Sequence, residues 1–341
     1  SGRRFGLGLA CHLESSGRGP YEGAAVEVHE DGSVSVAVGV TSQGQGHETA
    51  FAHVVAGELG VDEEVVRVSG GDTRTFHHGL GTFGSRSAVM AGNAVLEAAR
   101  SVADQLASLA AERLAVRAAD LRLIRGTVRA LDGRSIPIGD LATLASPVPF
   151  HGGPSFSRRA RHARATSDAG SVGRLTGGRS PYVGASAFFE ASESVWGYAM
   201  HAATVAVDPD SCHIEVLRYL IVYDCGRVLD AAIVEEQLLG GFAQGTGDAL
   251  YQAFSYDPEG RLRNRGFGDL LVPYASDVVR PELIRLESPT ARNPLGVKGV
   301  GEAAIIGVPA AVASAVGDAL GIQADVSPLT PVALYRLLSA R

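Results

Sequence analysis

Apolar and polar residues alternate along residues 5–13 and again along 23–40, around Asp31-Gly32. A period of two broken by a glycine turn predicts a β-hairpin. Thr49 to Leu59 switches to helical spacing, Val65 to Val68 reads as a strand, and a long helix is predicted from Ala88 to Arg113. A short β-rich piece follows around Gly126 to Ile138. Alternation resumes at Val183, and Val195 to Val207 with Ile214 to Asp224 predicts paired strands about the turn Asp208-Pro209-Asp210. Helical spacing returns from Ile233 to Phe254 and after Glu302, where Ala303 to Val316 predicts a buried helix with Pro309 near its first turn. Leu329 to Leu338 predicts a short amphipathic closing helix.

Between the halves, residues 151–181 are rich in Arg, Ser and Gly and almost free of apolar residues. That composition predicts a solvated connection, and it divides the chain into domains 1–150 and 182–341. A chain of 341 residues can hold two cores. The formal charge of −7 argues against nucleic acid or an anionic membrane as partner. No membrane insertion is expected, because no uncharged run reaches a membrane span. Cys11, Cys212 and Cys225 form no CxxC pair, so neither a zinc site nor an iron–sulfur cluster is expected from the cysteines of this chain alone. A reducing cytoplasm is the expected compartment. The sequence begins at Ser1 rather than methionine, which suggests a piece of something larger.

Candidate chemistry sits in three glycine-bearing turns. The first, Thr41 to Glu48, joins a strand to a helix; Gln43, Gln45 and His47 offer donors and acceptors without net charge beside Gly44 and Gly46. A helix N-terminus beside such a turn suits a polar organic cofactor, although His47 as a simple helix cap is the plain alternative. In the second, Gly79, Gly81 and Gly84 spell GxGxxG. A dinucleotide fingerprint would abut its strand and have an acidic residue at the end of the next strand. Here about ten residues, with His77 and His78, intervene, and the following stretch stays helical. Thr82, Ser85, Arg86 and Ser87 remain good phosphate ligands at a helix start. The third turn, in Asn293 to Val312, surrounds Lys298 and Glu302 with Gly296, Gly299 and Gly301. Lys298 is the only lysine in the chain, which suggests that a compact ammonium is required there. Glu302 stands where the glycine loop meets a helix, a place for a general base. The Ile233 to Phe254 helix carries Gly240, Gly241, Gly245 and Gly247, with Gln244 in the middle of a face open to another backbone or a flat ligand.

These motifs carry a resemblance. NPLGVKGVGEA is similar to the active-site loop of the molybdenum hydroxylases, the xanthine dehydrogenase and aldehyde oxidase family, in the spelling of the large subunit of aerobic carbon-monoxide-dehydrogenase-type members. QGQGHET and GTFGSRS resemble the loops that grip the pterin and its phosphate. DCGR with GGFAQGTGDAL resembles the segment facing the pterin from its other side, although Leu229-Asp230 replaces the usual Asn-Pro pair. The resemblance implies an α+β fold of two α/β-sandwich subdomains with mixed sheets, the C-terminal molybdopterin-binding half of the large subunit. It implies molybdopterin with molybdenum, in the cytosine dinucleotide form usual among bacterial members, held by Gln43, Gly44, Gln45, Gly46, His47, Thr82, Phe83, Gly84, Ser85, Arg86, Ser87, Gln244, Lys298, Gly299 and Gly301. Molybdenum is bound by the cofactor's dithiolene in this family, so no protein metal ligand is named. Glu302 would be the catalytic base and Lys298 its electrostatic support, in a hydroxylation that takes oxygen from water.

The same resemblance implies partners: the N-terminal half of the molybdenum subunit, an iron–sulfur subunit, an FAD subunit and a small-molecule substrate. Three functions follow as candidates. One is the cofactor-binding half of a molybdenum hydroxylase, and another is a binding-only homologue without turnover; metal analysis with dye-linked oxidation separates these. The third is a nucleotide-dependent dehydrogenase using GLGTFG, which NAD binding would support.

Overall fold

The computed structural model describes residues 2–145 and 182–340; the connection 151–181 lies outside the described residues. The chain forms two units, each discontinuous in sequence. One contains Ser1–Ser16, Val195–Thr290 and Lys298–Arg341, the other Gly17–Ser194 and Ala291–Val297. The linear division at 150 and 182 is therefore corrected. The reason lies in strand pairing. β1 (Arg4–Ser16) does not join the predicted hairpin but pairs antiparallel with β9 (Val195–Asp208) along its whole length. Conversely, β8 (Val183–Phe189) returns to pair with β2 (Glu22–Val28). The hairpin itself is β2 with β3 (Val34–Val38), as the turn residues require.

The first unit is built on the sheet β1-β9-β10-β11, with β10 at His213–Asp224 and β11 at Glu282–Leu286. β9 and β10 are antiparallel, as predicted, and β10 and β11 parallel, so the sheet is mixed. Against it lies α5 (Ala303–Leu320), the apolar helix that follows Glu302, flanked in turn by α4 (Ala231–Leu250); α6 (Pro331–Ser339) closes the chain. Contact with β1 is made backbone to backbone. A Cβ on Gly6 would stand 2.0 Å from the Ala315 carbonyl oxygen, and one on Gly8 would stand 2.1 Å from that of Ala311. Glycine on the strand and alanine on the helix are what such an approach demands. On its other side α5 meets the glycines of α4: a Cβ on Gly241 would reach Ala304 at 3.1 Å, and one on Gly245 would reach Val308 at 2.8 Å. Gly241 and Gly245 of α4 thus receive a helix. Gln244 is exposed, one turn from Gly240, which has open space where a Cβ would stand. Pro309 lies inside α5, at its seventh position rather than in its first turn. By length and composition α5 could cross a membrane, yet it packs against β1, β9 and α4 within the unit.

The second unit has the mixed sheet β4-β3-β2-β8, with β4 at Val66–Gly70 parallel to β3. Helices α1 (His47–Leu59) and α2 (Ser87–Leu114) pack in this unit, α2 against β2 and β8 and α1 against α2 and β4. A small antiparallel sheet of β5 (Leu121–Ile124), β6 (Thr127–Ala130) and β7 (Ser135–Pro137) leads into α3 (Ile138–Ala145). Each unit is thus a mixed sheet layered with helices, the α+β architecture expected.

Candidate functional site

In the second unit the two predicted cofactor turns meet. The Thr82 hydroxyl donates to the carbonyl of Thr41 at 2.7 Å, and the Ser87 hydroxyl lies 3.3 Å from that of Thr82. Beneath them Gly39 and Gly79 touch backbone to backbone, a Cβ on Gly79 falling 2.0 Å from the Gly39 oxygen. Gln43 and Gln45 pair with each other: the Gln43 N–H donates to Gln45 Oε1 at 2.6 Å. Gly44, Gly81 and Gly84 have positive φ (106°, 104° and 55°) and open space where a Cβ would stand. Ser85 also has positive φ, 48°. Phe83 is exposed.

Two residues in this cluster differ sharply in what the protein itself gives them. His47, the first residue of α1, is buried, and neither ring nitrogen has a hydrogen-bond partner among the described residues. Burial lowers its pKa, against a smaller opposing pull from Glu48, so the ring is neutral with one donor and one acceptor to offer. Gly46 precedes it in the left-handed region, and no side chain caps the helix. Arg86, by contrast, is fully buried and spent on the protein. Its guanidinium pairs with Glu22 and donates to the carbonyls of Arg18 at 2.6 Å and Gly81 at 3.0 Å. Glu22 also accepts the Leu80 N–H at 2.9 Å. The pair fixes the path of the loop from Leu80 to Gly81. Sequence inspection missed Glu22, which lies 64 positions before Arg86 and has no local signal.

In the first unit, Lys298 and the DCGR segment come together. Lys298 Nζ lies 3.2 Å from Asp224 Oδ1 and 4.9 Å above the centre of the Tyr198 ring, and its N–H donates to the Cys225 carbonyl at 2.7 Å. Asp224 also accepts from the Tyr198 hydroxyl at 2.8 Å and the Gly226 N–H at 2.7 Å. Burial works to raise its pKa, but hydrogen bonds from Ser288, Gly226, Tyr198 and Lys298 together hold it below the usual carboxylate range. The Asp224 carboxylate is therefore ionised, and it is the partner that a lone lysine could have signalled. Cys225 is buried, and burial with the Asp224 charge pushes its thiol up to about 11, so it is no nucleophile. The Gly299 N–H donates to the buried Ser16 hydroxyl at 2.9 Å, and a Cβ on Gly197 would meet the Gly299 oxygen at 3.0 Å. Gly301 is exposed and Glu302 half-buried; Glu302 is the N-cap residue of α5, and its side chain makes no capping bond.

The first turn of α5 rests on a buried histidine. His201 Nε2 lies 3.1 Å from the Ala303 carbonyl, which can only accept, so Nε2 carries the hydrogen. Nδ1 then accepts from the Tyr219 hydroxyl at 2.9 Å. A Cβ on Gly307 would fall 2.4 Å from this ring. Burial, assisted by His12, pushes the His201 pKa down to about 4. The unfolded chain, with an ordinary value near 6.5, binds the proton more readily. Stability from this group is full above pH 6.5 and lost as pH falls towards 4. We expect about 2 kcal/mol less unfolding free energy at pH 5 than at pH 7 from this residue. Denaturant titrations of His201→Gln should show a shallower pH slope; parallel slopes would disprove the assignment.

Residues 1–279 match the molybdopterin cofactor-binding domain. The chain belongs to the molybdenum hydroxylase family. It is 32% identical over 337 residues to the 6-hydroxypseudooxynicotine dehydrogenase complex subunit gamma of Paenarthrobacter nicotinovorans, covering 98% of this chain and 40% of that one. It is 29% identical over 328 residues to the carbon monoxide dehydrogenase large chain of Hydrogenophaga pseudoflava, covering 92% and 38%. Among solved structures, quinoline 2-oxidoreductase from Pseudomonas putida 86 superposes with a TM-score of 0.85 at 30% identity, over 100% of this chain and 42% of that one. The chain spans about two fifths of the length of these relatives.

The residues of this molybdenum hydroxylase chain fit the family's cofactor. A buried neutral imidazole with no hydrogen-bond partner among the described residues calls for a polar ligand. The open positive-φ glycines of the two joined turns let such a ligand approach the backbone. Among the described residues no cluster of three or more His, Cys, Asp or Glu side chains could hold a bare metal ion.

Proposed function

We propose that this chain is the cofactor-holding, catalytic portion of a molybdenum hydroxylase large subunit that oxidises a small molecule. The observation that carries this reading is the pair of orphaned His47 nitrogens beside the joined Thr41–Glu48 and Gly79–Ser87 turns, in a chain of this family. When bound, the pterin cofactor, in its cytosine dinucleotide form, supplies molybdenum, which accepts two electrons from the substrate. The overall change is RH + H2O → ROH + 2 H⁺ + 2 e⁻. His47, Gln43, Gln45, Thr82, Ser85 and Ser87, with the N–H groups of Gly44, Gly46, Phe83 and Gly84, bind and orient the cofactor. Arg86 shapes their loop from beneath. Glu302 takes the proton from the water-derived oxygen on a carboxylate oxygen. Lys298 holds the glycine loop in register through Asp224, and Gly299 and Gly301 let that loop run close to the cofactor. Gln244, exposed on α4, adds a polar contact.

The electrons leave to iron–sulfur and FAD subunits, and the remaining large-subunit polypeptide completes the substrate pocket; the three free cysteines accord with a cytoplasmic enzyme. The test is isolation of the complete complex. Molybdenum, pterin and ¹⁸O from labelled water in the product are expected. A complex with cofactor but no turnover on any dye-linked substrate would mark a binding-only homologue, and NAD-dependent oxidation without molybdenum would overturn the reading.

A further inference from the structure

The long helix α2 buries one amide among apolar neighbours. Asn93 is 0% exposed, and Val89, Met90, Ala94, Val95 and Leu96 around it are buried as well. Asparagine suits a helix interior poorly, because its side chain competes for backbone groups, and a buried amide needs partners at both ends. One Asn93 N–H is used inside the helix, donating to the Val89 carbonyl at 2.7 Å. The other donates to Asn293 Oδ1 at 3.3 Å, and Asn93 Oδ1 accepts the Leu295 N–H at 2.9 Å. Both of these partners lie in the loop that carries Glu302, at least 200 positions along the chain.

The loop is shaped to receive this grip. Asn293 closes a ring with Val297, its Nδ2 donating to the Val297 carbonyl at 2.9 Å and its Oδ1 accepting the Val297 N–H at 3.2 Å. Inside that ring Gly296 takes a positive φ of 72° and donates its N–H to the Asn293 carbonyl at 3.0 Å. Backbone groups fix the orientation of both amides, since an N–H only donates and a carbonyl only accepts. The bond from Asn93 to Asn293 then has its donor and acceptor the right way round. Leu295 and Val297 are buried, and a Cβ on Gly92 would stand 3.2 Å from Leu295 Cδ1, so α2 is bare where the loop lies on it.

The place of this clamp gives it a role. α2 starts at Ser87, directly from the Gly79–Ser87 turn, and Asn93 stands about 9 Å further along the helix axis. Residues 291–297 belong to the same unit as that turn, and the loop leaves it between Val297 and Lys298. Beyond that point its anchors are others, Asp224 for Lys298 and Ser16 for Gly299. We propose that Asn93 is a positioning residue for the reaction: with Asn293 it sets the register in which the Glu302 loop departs from the helix that opens at the cofactor turn. The proposal rests on the reading of Glu302 as the base and of that turn as a cofactor holder. The plain alternative is packing, in which Asn93 only fills space in α2.

The test uses the complete complex, reduced with dithionite, and its Mo(V) electron paramagnetic resonance spectrum in H2O and D2O, which reports on groups beside the metal. Glu302→Gln calibrates the spectrum. Asn93→Ala is expected to retain molybdenum and pterin and to alter the same spectral features as Glu302→Gln. Hydrogen exchange of the 293–297 amides should rise roughly tenfold or more. Asn93→Leu restores the volume and favours the helix, but it cannot hold the loop. It should match Asn93→Ala in spectrum and exchange, whatever its melting temperature. A wild-type spectrum in Asn93→Leu would leave packing as the role and overturn the proposal. Should neither variant assemble, Asn293→Ala cuts the clamp from the loop side with the same expectations, and a wild-type spectrum there overturns the proposal equally. A spectrum unchanged by Glu302→Gln itself would fault the base, and the positioning role would fall with it. A change in Glu302→Gln alone faults the clamp and spares the base.

Discussion

Glu302→Gln in the complete enzyme is expected to keep its molybdenum and pterin while turnover falls by about 10²–10⁴-fold, the contribution of a positioned general base. The substitution preserves shape, and the structure says why it should be tolerated. Glu302 is the residue at which α5 begins, and its side chain makes no capping bond to that helix. Its backbone carbonyl, which accepts from Ile305 at 3.1 Å and Ile306 at 3.2 Å, is unchanged by the substitution. The His201 ring braces the next carbonyl from below. What the amide loses is the ability to take a proton, the role proposed for Glu302. Equal rates in the variant, measured at full metal occupancy, would end the assignment of the base.

Arg86→Ala is the second large effect, and it acts on the cofactor loop through the core. Both partners of the Arg86–Glu22 pair are wholly buried. Removing the guanidinium strands a carboxylate in the interior and abandons the carbonyls of Arg18 and Gly81. Losing one member of a buried pair costs about 3–5 kcal/mol. Denaturant midpoint and molybdenum content should therefore fall together. Adding Glu22→Gln to Arg86→Ala removes the stranded charge and should recover part of the stability, while the Gly81 carbonyl stays unheld and cofactor retention stays poor. Unaltered stability in the single variant would discredit the buried pair, and full molybdenum occupancy in both would discredit the link to the loop.

The contrast between these two residues shows what could be read before coordinates. The position of Glu302 at the start of a buried helix was legible because its signal is local: glycines before it, an apolar helix after it. The sequence also shows Arg86 beside Ser85 and Ser87, which looks like a phosphate site, but Glu22 on β2 decides where the guanidinium goes. Likewise Lys298 and Asp224 each stand in a noticed motif, yet only folding joins residues 74 positions apart. The helices α1 and α2 and the β9–β10 pair follow from periodicity and a turn. β1 does not, because alternation fixes that a segment is a strand and says nothing of a partner far along the chain. The glycines of α4 were ambiguous for the same reason, since Gly241 and Gly245 face α5 while Gly240 stands open.

The crossed pairing of β1 with β9 has a consequence for biogenesis. At roughly 5–20 residues per second on the ribosome, β1 emerges on the order of ten seconds or more before β9 is made to receive it. During that wait the backbone of β1 lacks the strand it pairs with, while the second unit already has nearly all of its own polypeptide. Nascent chains of this kind are natural clients of a chaperone, and heterologous expression without one should yield inclusion bodies before it yields enzyme.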